Sequence, residues 1–355
     1  MPKIAIIHDY LASYGGAEKT FKVLSDIFPD AELYTLFYLP GIKHKLFPIK
    51  RVHTSFLQKF PKFIRRHYQW LLPLLPIAVE TIDLRNFDIV ISSSHSWVKG
   101  IITRPKTIHI CYCYSPTRYL WDKSRKNFLL HYFRMWDRQA SERVDQFIAC
   151  SKIVQDRIGK YYKRESVVIY PPCVDLSPQV EAGPPVQSPK EFYLIVSRLR
   201  NYKRIDIAIE AFNKLGLELV IIGDGPAKRD LQQIAKKNIK FLGWQPNDVV
   251  VKYYQNCTAF IFPSEDDFGI APVEVMFFGK PVLAFRSGGA VETIIEGKTG
   301  EFFDYQNPAI LADGIRRMRP KNYDPKFISA HAQKFNREKF EKEIKEYINK
   351  VAKGG

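Results

Sequence analysis

Residues 263–274, PSEDDFGIAPVE, place two carboxylates, Asp266 and Glu274, on either side of a Phe-Gly turn. The apolar run 259–262 predicts a strand before the turn, and Pro272 as a first helical residue predicts a helix after it. Unpartnered N–H groups at a helix start favour an anion such as a phosphate. The carboxylates could accept hydrogen bonds from hydroxyls, so the pattern indicates a sugar nucleotide. The alternative is a first-turn Glu offsetting the helix dipole beside a solvated acidic turn.

A group of cations follows the predicted strand 192–196, where a helix is predicted to start. It consists of Arg198, Arg200, Lys203 and Arg204. Cations at this end oppose the helix dipole, so a purely structural role is hard to find for them. A bound diphosphate would give them one, and we favour this anion site over a solvated charge run.

Two strand-end loops in the N-terminal half carry further candidate residues. The predicted strand 4–7 precedes Asp9 and then Gly15 and Gly16, which open a predicted helix. Glycine lets a backbone approach a ligand closely, and N–H groups without helical partners follow. His95 follows another predicted strand, where it could approach a reacting sugar. A hydrogen-bonded structural histidine is the alternative.

Glycines also end two predicted strands in the C-terminal half. Gly223 lies in a Gly-rich turn that lacks the full G-x-G-x-x-G of a dinucleotide fold, which argues against an NAD site. Gly243 ends a second strand and is followed by Trp244, an aromatic side chain that could flank a nucleobase. A core or rim position for this tryptophan is the alternative.

These loops require a scaffold of alternating strands and helices. Apolar runs predict strands at 4–7, 31–37, 88–92, 108–114, 146–150, 167–170, 192–196, 217–222, 239–242, 259–262 and 282–285. Helical patterns between them imply parallel sheets with helices on both faces. We therefore predict an α/β protein of two doubly wound, Rossmann-like domains. Their ligand cleft is expected where the C-terminal ends of the two sheets face each other.

The chain has 355 residues, which is long for one core and predicts two domains. We predict domains at 1–181 and 191–334, separated by a Pro-rich linker at 182–190. A charged segment at 335–355 has helical spacing of its apolar residues. We predict that it forms an amphipathic helix that packs back on the N-terminal domain.

The net charge of +17 predicts an acidic partner. The segment Lys43–Val79 contains eight cations and no carboxylate, and aromatic residues interleave with the cations. This composition suits an anionic membrane surface, and we expect the protein to bind one through this segment. Nucleic acid and a solvated basic face are the alternatives. Because no recognised nucleic-acid motif is present, we expect no nucleic-acid partner.

Overall composition is that of an ordinary soluble globular protein, with 46% hydrophobic and 26% charged residues. We expect no signal peptide, and the most apolar run, 70–79, is too short to span a bilayer. The five cysteines are odd in number and lack metal-ligand spacing, which indicates buried thiols in a reducing cytoplasm.

The chain resembles the retaining glycosyltransferases of family four, which have the GT-B fold, over nearly its whole length. Motifs in the family's order carry the resemblance: 8–10, 15–18, 92–95, 112–122, 151, 170–172, 197–199, 203–204, 223–226, 241–244, 263–274, 288–289, 292, 297 and 299–300. The subgroup that the chain resembles most transfers mannose or related sugars in bacterial polysaccharide assembly. The resemblance implies an acceptor-side N-terminal domain and a nucleotide-sugar-binding C-terminal domain.

The resemblance also implies how the donor is held. Arg198 and Lys203 would hold its diphosphate, and the amide of Gly16 would reach the same phosphates. The residues implied in donor binding are Gly15, Gly16, Gly223, Gly243, Trp244, Phe268, Gly269, Ile270, Ala271 and Glu274. With these cations and no suitably placed Asp-x-Asp, we expect neither a metal nor another cofactor.

The resemblance gives three side chains roles around the sugars. Glu274 would bind the ribose, Asp266 the hydroxyls of the transferred sugar, and His95 would lie beside the reacting carbon. The family normally has Glu where this chain has Asp266, which is one methylene shorter, with Glu265 beside it. Relatives often have His at the position of Tyr114. The side chains assigned to the acceptor, or left without a fixed role, are Asp9, Tyr114, Arg118 and Glu265.

The predicted activity is transfer of a hexose, with retention of configuration, onto a lipid-linked or polysaccharide acceptor. The first choice of donor is GDP-mannose, which would supply mannose. The expected location is the cytoplasmic face of the cell membrane. The alternatives are a transferase that uses a UDP-sugar, a sugar-nucleotide 2-epimerase of the same fold, and a non-enzymatic nucleic-acid-binding protein.

Overall fold

Two sheets, one in each of two units, carry the strand-end loops that hold the candidate residues. The protein is described here by a computed structural model covering residues 2–48, 50–121, 128–173 and 191–354. Its first unit comprises Met1–Pro172 and Phe340–Gly355, and its second comprises Cys173–Lys339. The predicted linker at 182–190 lies outside the described residues, as does Asp122 at the end of one motif.

The first unit contains a seven-stranded sheet whose strand pairs are all parallel. Its strands are β1 (Ile4–His8), β2 (Glu32–Thr35), β3 (Val52–Thr54), β4 (Ile89–Ser94), β5 (Ile108–Cys113), β6 (Gln146–Ala149) and β7 (Ser166–Val168). They are ordered β3-β2-β1-β4-β5-β6-β7. Helices on both faces bury the central strands, as expected for near-continuous apolar runs such as Ala5–Ile7.

The helices of the first unit lie between these strands. They are α1 (Gly16–Ile27), α2 (Pro40–Leu46), α3 (Lys62–Arg66), α4 (Leu75–Glu80), α5 (Arg118–Trp121), α6 (Phe128–Glu142) and α7 (Lys152–Arg157). Short helical turns cover 56–59, 68–74, 98–100 and 158–162.

The second unit contains a six-stranded sheet, again with parallel pairs. Its strands are β8 (Tyr193–Val196), β9 (Leu219–Ile222), β10 (Ile239–Gly243), β11 (Ala259–Phe262), β12 (Val282–Phe285) and β13 (Gly300–Phe303), ordered β10-β9-β8-β11-β12-β13. Its helices are α8 (Ile205–Leu215), α9 (Lys228–Ile234), α10 (Asn247–Asn256), α11 (Ile270–Met276), α12 (Ala290–Thr293), α13 (Pro308–Arg317) and α14 (Pro325–Ala332). Two parallel-sheet domains of the predicted class are thus confirmed.

The C-terminal helix α15 (Arg337–Gly354) supplies apolar side chains to the core of the first unit. Phe340, Ile344 and Ile348 recur at four-residue spacing and are at most 4% exposed. The ring of Phe340 meets that of Tyr112 in β5 edge-on at 5.7 Å. The charged residues between them remain on the solvent side, which is the amphipathic pattern of the sequence.

Two strands and one helix start differ from the sequence predictions. The unpredicted β3 is three residues long and contributes one buried apolar side chain, Val52, so its periodic signal is minimal. The unpredicted β13 begins with Gly300, a residue type that disfavours strands. The helix after β11 begins at Ile270, two residues before Pro272, so the prediction of Pro272 as its first residue is wrong.

The strand order explains which loops meet. In each sheet the connections diverge from two neighbouring central strands, β1 and β4 in the first unit and β8 and β11 in the second. Loops leaving the carboxyl ends of such a pair run to opposite sides and leave a crevice between them. Asp9 and His95 follow one pair of strands, and Lys203 and Asp266 follow the other.

Candidate active site

Asp9 in the first unit accepts hydrogen bonds from a turn after β4. Its Oδ2 accepts from the N–H groups of His95 at 2.6 Å and Ser96 at 2.9 Å. Its Oδ1 accepts from the N–H groups of Trp97 at 2.7 Å and Val98 at 2.9 Å. The side chain is fully buried. Asp9 therefore fixes the turn that presents His95, and its buried oxygens are not available to an acceptor sugar.

The charge on Asp9 is stabilised by its surroundings. Burial alone would raise its pKa, but His95, His8 and the backbone N–H groups outweigh burial and hold the pKa below its usual value. The His95 Nδ1 lies 3.5 Å from the Asp9 Oδ2, and 28% of the His95 side chain is exposed. The ring of Tyr10 packs edge-on against that of His95 at 5.0 Å. The imidazole is thus held on one side and open on another.

A buried network that was not predicted from the sequence holds the opposite side of this turn. The Lys99 ammonium donates to the carbonyl oxygen of Ser96 and to Asp137 Oδ1, the latter at 2.5 Å. The Thr117 hydroxyl lies 3.1 Å from the same carbonyl, and the Tyr162 hydroxyl donates to Asp137 Oδ2 at 2.8 Å. A lone lysine within the apolar run 97–101 was the available sequence signal.

His8, which is fully buried, and Tyr114, which is half-buried, form a second group beneath the turn. The His8 Nδ1 lies 2.9 Å from the Ser93 carbonyl oxygen, and burial, assisted by His95, lowers the pKa of His8 to about 4. The Tyr114 hydroxyl lies 2.8 Å from Ser93 Oγ and donates to the Ala17 carbonyl at 3.0 Å. These bonds connect β4, the strand β5 and the first turn of α1. Tyr114 therefore has structural partners, and its predicted acceptor role remains untested.

Gly15 and Gly16 start α1, as the sequence indicates. Gly15 precedes the helix, and its N–H donates to Glu18 Oε2 at 2.9 Å. The same carboxylate accepts from the Ser13 hydroxyl at 2.9 Å. The Gly15 amide is therefore used within the loop, which leaves the Gly16 amide, on the first helical residue, as the predicted phosphate donor. Arg118 is the first residue of α5 and is half-buried.

In the second unit the structure brings Lys203 and Asp266 together, although 63 residues separate them in sequence. Lys203 ends the loop between β8 and α8, and its ammonium donates to Asp266 Oδ2. Their side chains are 13% and 19% exposed. The other oxygen, Asp266 Oδ1, is buried and has no hydrogen-bond partner among the described residues. Arg198 lies exposed in the same loop as Lys203.

Two glycines after β12 fix the backbone of Asp266. A Cβ on Gly288 would lie 2.1 Å from the Asp266 carbonyl oxygen, and one on Gly289 would lie 2.2 Å from the Phe268 Cα. The Gly289 N–H donates to the same Asp266 carbonyl at 2.8 Å. Neighbouring strand-end loops therefore pack backbone against backbone, which a side chain would prevent.

A second pair of glycines fixes the loop that carries the cations. A Cβ on Gly223 would lie 1.8 Å from the Ser197 carbonyl oxygen, and one on Gly225 would lie 2.2 Å from the Leu199 carbonyl oxygen. The Leu199 N–H donates to the Asp224 carbonyl at 2.9 Å. The Gly-rich turn after β9 thus positions the Arg198 loop instead of forming a dinucleotide fingerprint.

Glu274 is buried within α11, and 6% of it is exposed. The Tyr254 hydroxyl in α10 donates to Glu274 Oε2 at 3.1 Å. Burial, followed by the charge of Glu274, raises the pKa of Tyr254, so the tyrosine stays a donor. The predicted contact of Glu274 with a ribose remains a prediction. Tyr254 supports Glu274 and was not predicted from the sequence.

The remaining donor-side candidates lie at the end of β10 and in the loop and helix that follow β11. Gly243 has a φ of +70°, and Trp244 beside it is 56% exposed. Phe268 is buried, and Gly269 precedes α11 with a φ of +87°. Ile270 and Ala271, in the first turn of α11, are half-buried, and Glu265 beside Asp266 is also half-buried.

Gln306, after β13, joins two of these loops and was not predicted. Its side-chain amide donates to the Pro263 carbonyl at 2.9 Å, and its side-chain oxygen accepts from Arg204 at 3.4 Å. Pro263 lies just before Asp266, and Arg204 just after Lys203. Gln306 therefore supports the two loops whose side chains form the ion pair.

Within the described ranges, no group of three or more His, Cys, Asp or Glu side chains could hold a metal ion. All five cysteines are buried free thiols. The metal-free mechanism predicted from the sequence is not tested by this observation.

Two family models match the chain. The one described as Glycosyltransferase Family 4 matches residues 14–178, and the one described as Glycosyl transferases group 1 matches residues 179–335. The two matches adjoin each other, and together they cover nearly the whole chain.

Sequence relatives are glycosyltransferases of low identity. An uncharacterized glycosyltransferase of Methanocaldococcus jannaschii is 26% identical over 209 residues, 58% of each chain. An alpha-1,3/1,6-mannosyltransferase of Candida glabrata is 25% identical over 238 residues, 52% of each chain. The chain thus spans just over half the length of these curated relatives.

Among solved structures, the Anabaena protein HepE in complex with UDP-glucose matches 99% of this chain and 100% of its own, with a TM-score of 0.74 at 18% identity. At this identity the likeness concerns the fold alone, and it confirms the predicted GT-B fold.

Proposed function

The chain belongs to the glycosyltransferases of family 4, and from that premise we propose that it is a retaining hexosyltransferase. The proposed donor is GDP-mannose, and the proposed acceptor is a lipid-linked or polysaccharide glycan of the cell surface. The mannosyltransferase among the matched relatives supports the choice of sugar. A UDP-sugar is the competing donor, and the experiment below separates the two.

The observation that carries the proposal is the pairing of Lys203 with Asp266 at the switch point of the second sheet. A cation suits a phosphate, and a carboxylate with a buried, unpartnered oxygen suits a sugar hydroxyl. A nucleotide sugar carries both groups close together, because its diphosphate is attached to the anomeric carbon of the sugar. The pair therefore matches the linkage between the diphosphate and the transferred sugar.

Charge stabilisation is the proposed source of catalysis. When the bond from the anomeric carbon to the phosphate oxygen breaks, its electron pair passes to the leaving diphosphate. Arg198 and Lys203 would stabilise that growing charge, a role that other transferases give to a divalent metal. The acceptor hydroxyl would then attack the anomeric carbon from the same face and lose its proton to the departing phosphate.

His95 is proposed to bind the reacting sugar rather than to act as a base. Its backbone is fixed by Asp9, while 28% of its side chain remains exposed. A held imidazole with an open side can hydrogen-bond a sugar hydroxyl. Loss of turnover in His95→Ala with unchanged affinity for the nucleoside diphosphate is the result expected of this role.

The test of function compares donors directly. The protein is incubated separately with GDP-mannose and UDP-glucose and a lipid-linked acceptor fraction, with and without EDTA, and the product is analysed by NMR. We expect transfer from GDP-mannose, an unchanged anomeric configuration and full activity in EDTA. Transfer from UDP-glucose alone would replace the proposed donor. An inverted product would exclude retention, and a C2-epimerised sugar without an acceptor would indicate an epimerase.

The role of Lys203 has a matched control in Lys214, an exposed lysine at the end of α8. Lys203→Ala is expected to lower kcat about 10²–10³-fold, the usual cost of removing a group that stabilises transition-state charge. Lys214→Ala removes the same charge elsewhere and is expected to retain activity. Equal activities in the two variants would remove Lys203 from the site.

Attachment to an anionic membrane through Lys43–Val79 is proposed as well. The structure divides the aromatic and aliphatic side chains of this segment into exposed and buried ones. Ile49 lies outside the described residues. Phe63 is 59% exposed and Trp70 is 64% exposed, whereas Phe47 and Leu57 are buried. The exposed cations closest in sequence to the two aromatics are Lys59, Lys62 and Arg66. Each cation near an anionic surface contributes about 1 kcal/mol, so this group could give reversible attachment.

Arg65 differs from its neighbours because it donates to the carbonyl oxygens of Phe60 and Tyr38 at 2.9 and 2.5 Å. A test of attachment should therefore leave Arg65 in place. Of the helices that the structure describes, none combines the length and apolar character needed to cross a bilayer.

The attachment test is co-sedimentation with phosphatidylglycerol vesicles and with phosphatidylcholine vesicles over a salt series. Phe63→Ser with Trp70→Ser is compared with Tyr305→Ser, which removes an aromatic that is 72% exposed in the second unit. We expect salt-sensitive sedimentation with the anionic vesicles alone, lost in the double variant and kept in the control. Wild-type protein that stays in the supernatant at low salt would contradict attachment.

A further inference from the structure

We propose that Asp266 lets the enzyme distinguish the intact nucleotide sugar from the nucleoside diphosphate that remains after transfer. The inference rests on the proposed function and concerns how the Lys203–Asp266 pair responds to each ligand. In this view the carboxylate has two tasks. It accepts from a sugar hydroxyl when the donor is bound, and it competes with a sugar-free diphosphate for Lys203.

The competition follows from the bonds that the two side chains make. The Lys203 ammonium donates to Asp266 Oδ2, and both side chains are largely buried, at 13% and 19% exposed. An ion pair removed from solvent is screened less than one at the surface, so its partners attract each other more strongly. A diphosphate that approaches Lys203 must therefore share the ammonium with Asp266 or displace it.

Asp266 cannot avoid this competition by moving its backbone. Gly288 and Gly289 approach its loop so closely that a Cβ on either would lie within 2.2 Å of that backbone. The Gly289 N–H also bonds the Asp266 carbonyl at 2.8 Å. Lys203 is held on the other side, because its N–H donates to the Arg200 carbonyl at 2.9 Å within a helical turn. The loops thus keep the two charges side by side.

The two ligands differ in the hydrogen-bond donors that they offer to the Asp266 carboxylate. A nucleotide sugar supplies hydroxyl donors, and the Asp266 Oδ1, buried and without a partner among the described residues, is an available acceptor. At the place that the transferred sugar would occupy, a nucleoside diphosphate presents only phosphate oxygens, so it adds negative charge beside Asp266 and offers the carboxylate no donor there. A partly buried carboxylate that loses its partner is penalised. The penalty falls on the product and not on the donor.

The consequence is weak product binding, which favours release after transfer. Replacing Asp266 by Asn keeps the shape and removes the charge. The variant should hold the nucleoside diphosphate more tightly and the nucleotide sugar no better. A carboxylate that served structure alone would shift both ligands in the same direction.

The experiment measures the affinity of GDP and of UDP by calorimetry for four proteins. They are the wild type, Asp266→Asn, Lys203→Met and the double variant, with Asp313→Asn, an exposed carboxylate on α13, as the control for net charge. For the tighter of the two nucleotides, we expect Asp266→Asn to lower Kd about tenfold, because the lost repulsion and restored lysine are worth about one bond to a charged group. In the Lys203→Met background the same substitution should lower Kd by a smaller factor than it does in the wild type, since only the repulsion between Asp266 and the diphosphate is then relieved and no lysine is restored.

Kinetics supply the second measurement. In Asp266→Asn, the inhibition constant of the nucleoside diphosphate should fall while kcat for the nucleotide sugar also falls. An unchanged or higher Kd in Asp266→Asn, with wild-type behaviour in Asp313→Asn, would overturn the inference and leave the proposed function intact. If wild-type protein binds neither GDP nor UDP, the proposed function fails and this inference fails with it.

Discussion

The two units each place an aspartate at the switch point of a parallel sheet, and the two aspartates are used in opposite ways. Asp9 is fully buried and accepts from four backbone N–H groups, so both its oxygens are occupied by the protein itself. Asp266 makes one ion pair and keeps a buried oxygen without a partner among the described residues. The first carboxylate fixes a loop, while the second keeps one acceptor oxygen that the described part of the protein does not use.

The difference teaches how to separate a positioning residue from a binding residue when both are strand-end carboxylates. Around Asp9, side chains fix the backbone, and the loop depends on them. Around Asp266, glycines let one backbone fix another, and one oxygen of the side chain is left without a partner among the described residues. A substitution at each place should therefore fail in a different way.

The largest expected effect is that of Asp9→Ala. It leaves the N–H groups of residues 95–98 without their acceptor, and each bond to a charged group is worth about 1.5–3 kcal/mol, although such values do not add fully. We expect the free energy of unfolding, measured in urea at pH 7.5, to fall by at least about 4 kcal/mol. Asp9→Asn keeps one acceptor oxygen, so its free energy of unfolding should lie between those of the wild type and Asp9→Ala.

The control for Asp9 is Asp26→Ala, which removes a carboxylate paired with Lys22 one turn away on α1. Such a pair contributes about 0.3–0.5 kcal/mol, so the control should remain close to wild type. A loss of unfolding free energy below about 1 kcal/mol in Asp9→Ala would mean that the turn at residues 95–98 is stable without the Asp9 carboxylate. Asp9 would then have to be reconsidered as a residue that contacts a ligand.

The next effect is that of Gly288→Ala in the second unit. Its φ is +64°, and the new Cβ would lie 2.1 Å from the Asp266 carbonyl oxygen. We expect a loss of about 3 kcal/mol in unfolding free energy, from left-handed strain and from overpacking together. Donor turnover should fall as well, because the loop that carries Asp266 must shift.

Gly216→Ala provides the matched control, since its φ is +69° and no atom lies within 4 Å of its Cβ position. The Gly216→Ala variant has the left-handed backbone strain but no close contact of the new Cβ. We therefore expect it to lose about 1–2 kcal/mol of unfolding free energy and to retain its turnover. Equal losses of stability and of turnover in the two variants would show that the contact with Asp266 has no separate effect.

The scaffold and the residues brought to each switch point could be predicted further than the bonds between them. Apolar runs indicate the central strands, and the resemblance to a family assigns Lys203 and Asp266 to a donor. The pairing of these two residues could not be predicted, because it depends on loop conformations set by Gly223 and Gly288. Asp9 was assigned to the acceptor side or left open, since a carboxylate after a strand looks the same whether it faces a ligand or four amides.

Lys99 and Asp137 show the same limit on sequence reasoning. A lysine in an apolar run is a visible anomaly, but its partner lies 38 residues away on another helix. Short strands such as β3, with one buried apolar side chain, also fall below what periodicity can detect. What escaped prediction is therefore long-range polar pairing and marginal edge strands.

The smallest expected effect concerns the pH dependence of the first unit. The pKa of His8 is lowered from 6.5 to about 4, by burial first and by His95 second. Above pH 6.5 the imidazole is neutral whether the chain is folded or not. Between pH 6.5 and about 4 the unfolded chain binds a proton that the folded chain excludes, so stability falls as the pH falls. From pH 7.5 to 5 the loss due to His8 should be about 2 kcal/mol.

The measurement compares wild type with His8→Asn, whose side chain can still bond Ser93 but does not titrate in this range. Urea unfolding is followed at several pH values from 7.5 to 5, and His109, whose pKa is also lowered to about 4, contributes equally to both proteins. The wild type should lose about 2 kcal/mol more than the variant over this interval. Parallel pH profiles would mean that His8 accepts a proton in the folded state. The site of the first unit would then not be closed to solvent at His8. A buried site excludes an added charge, whereas a site open to solvent admits one.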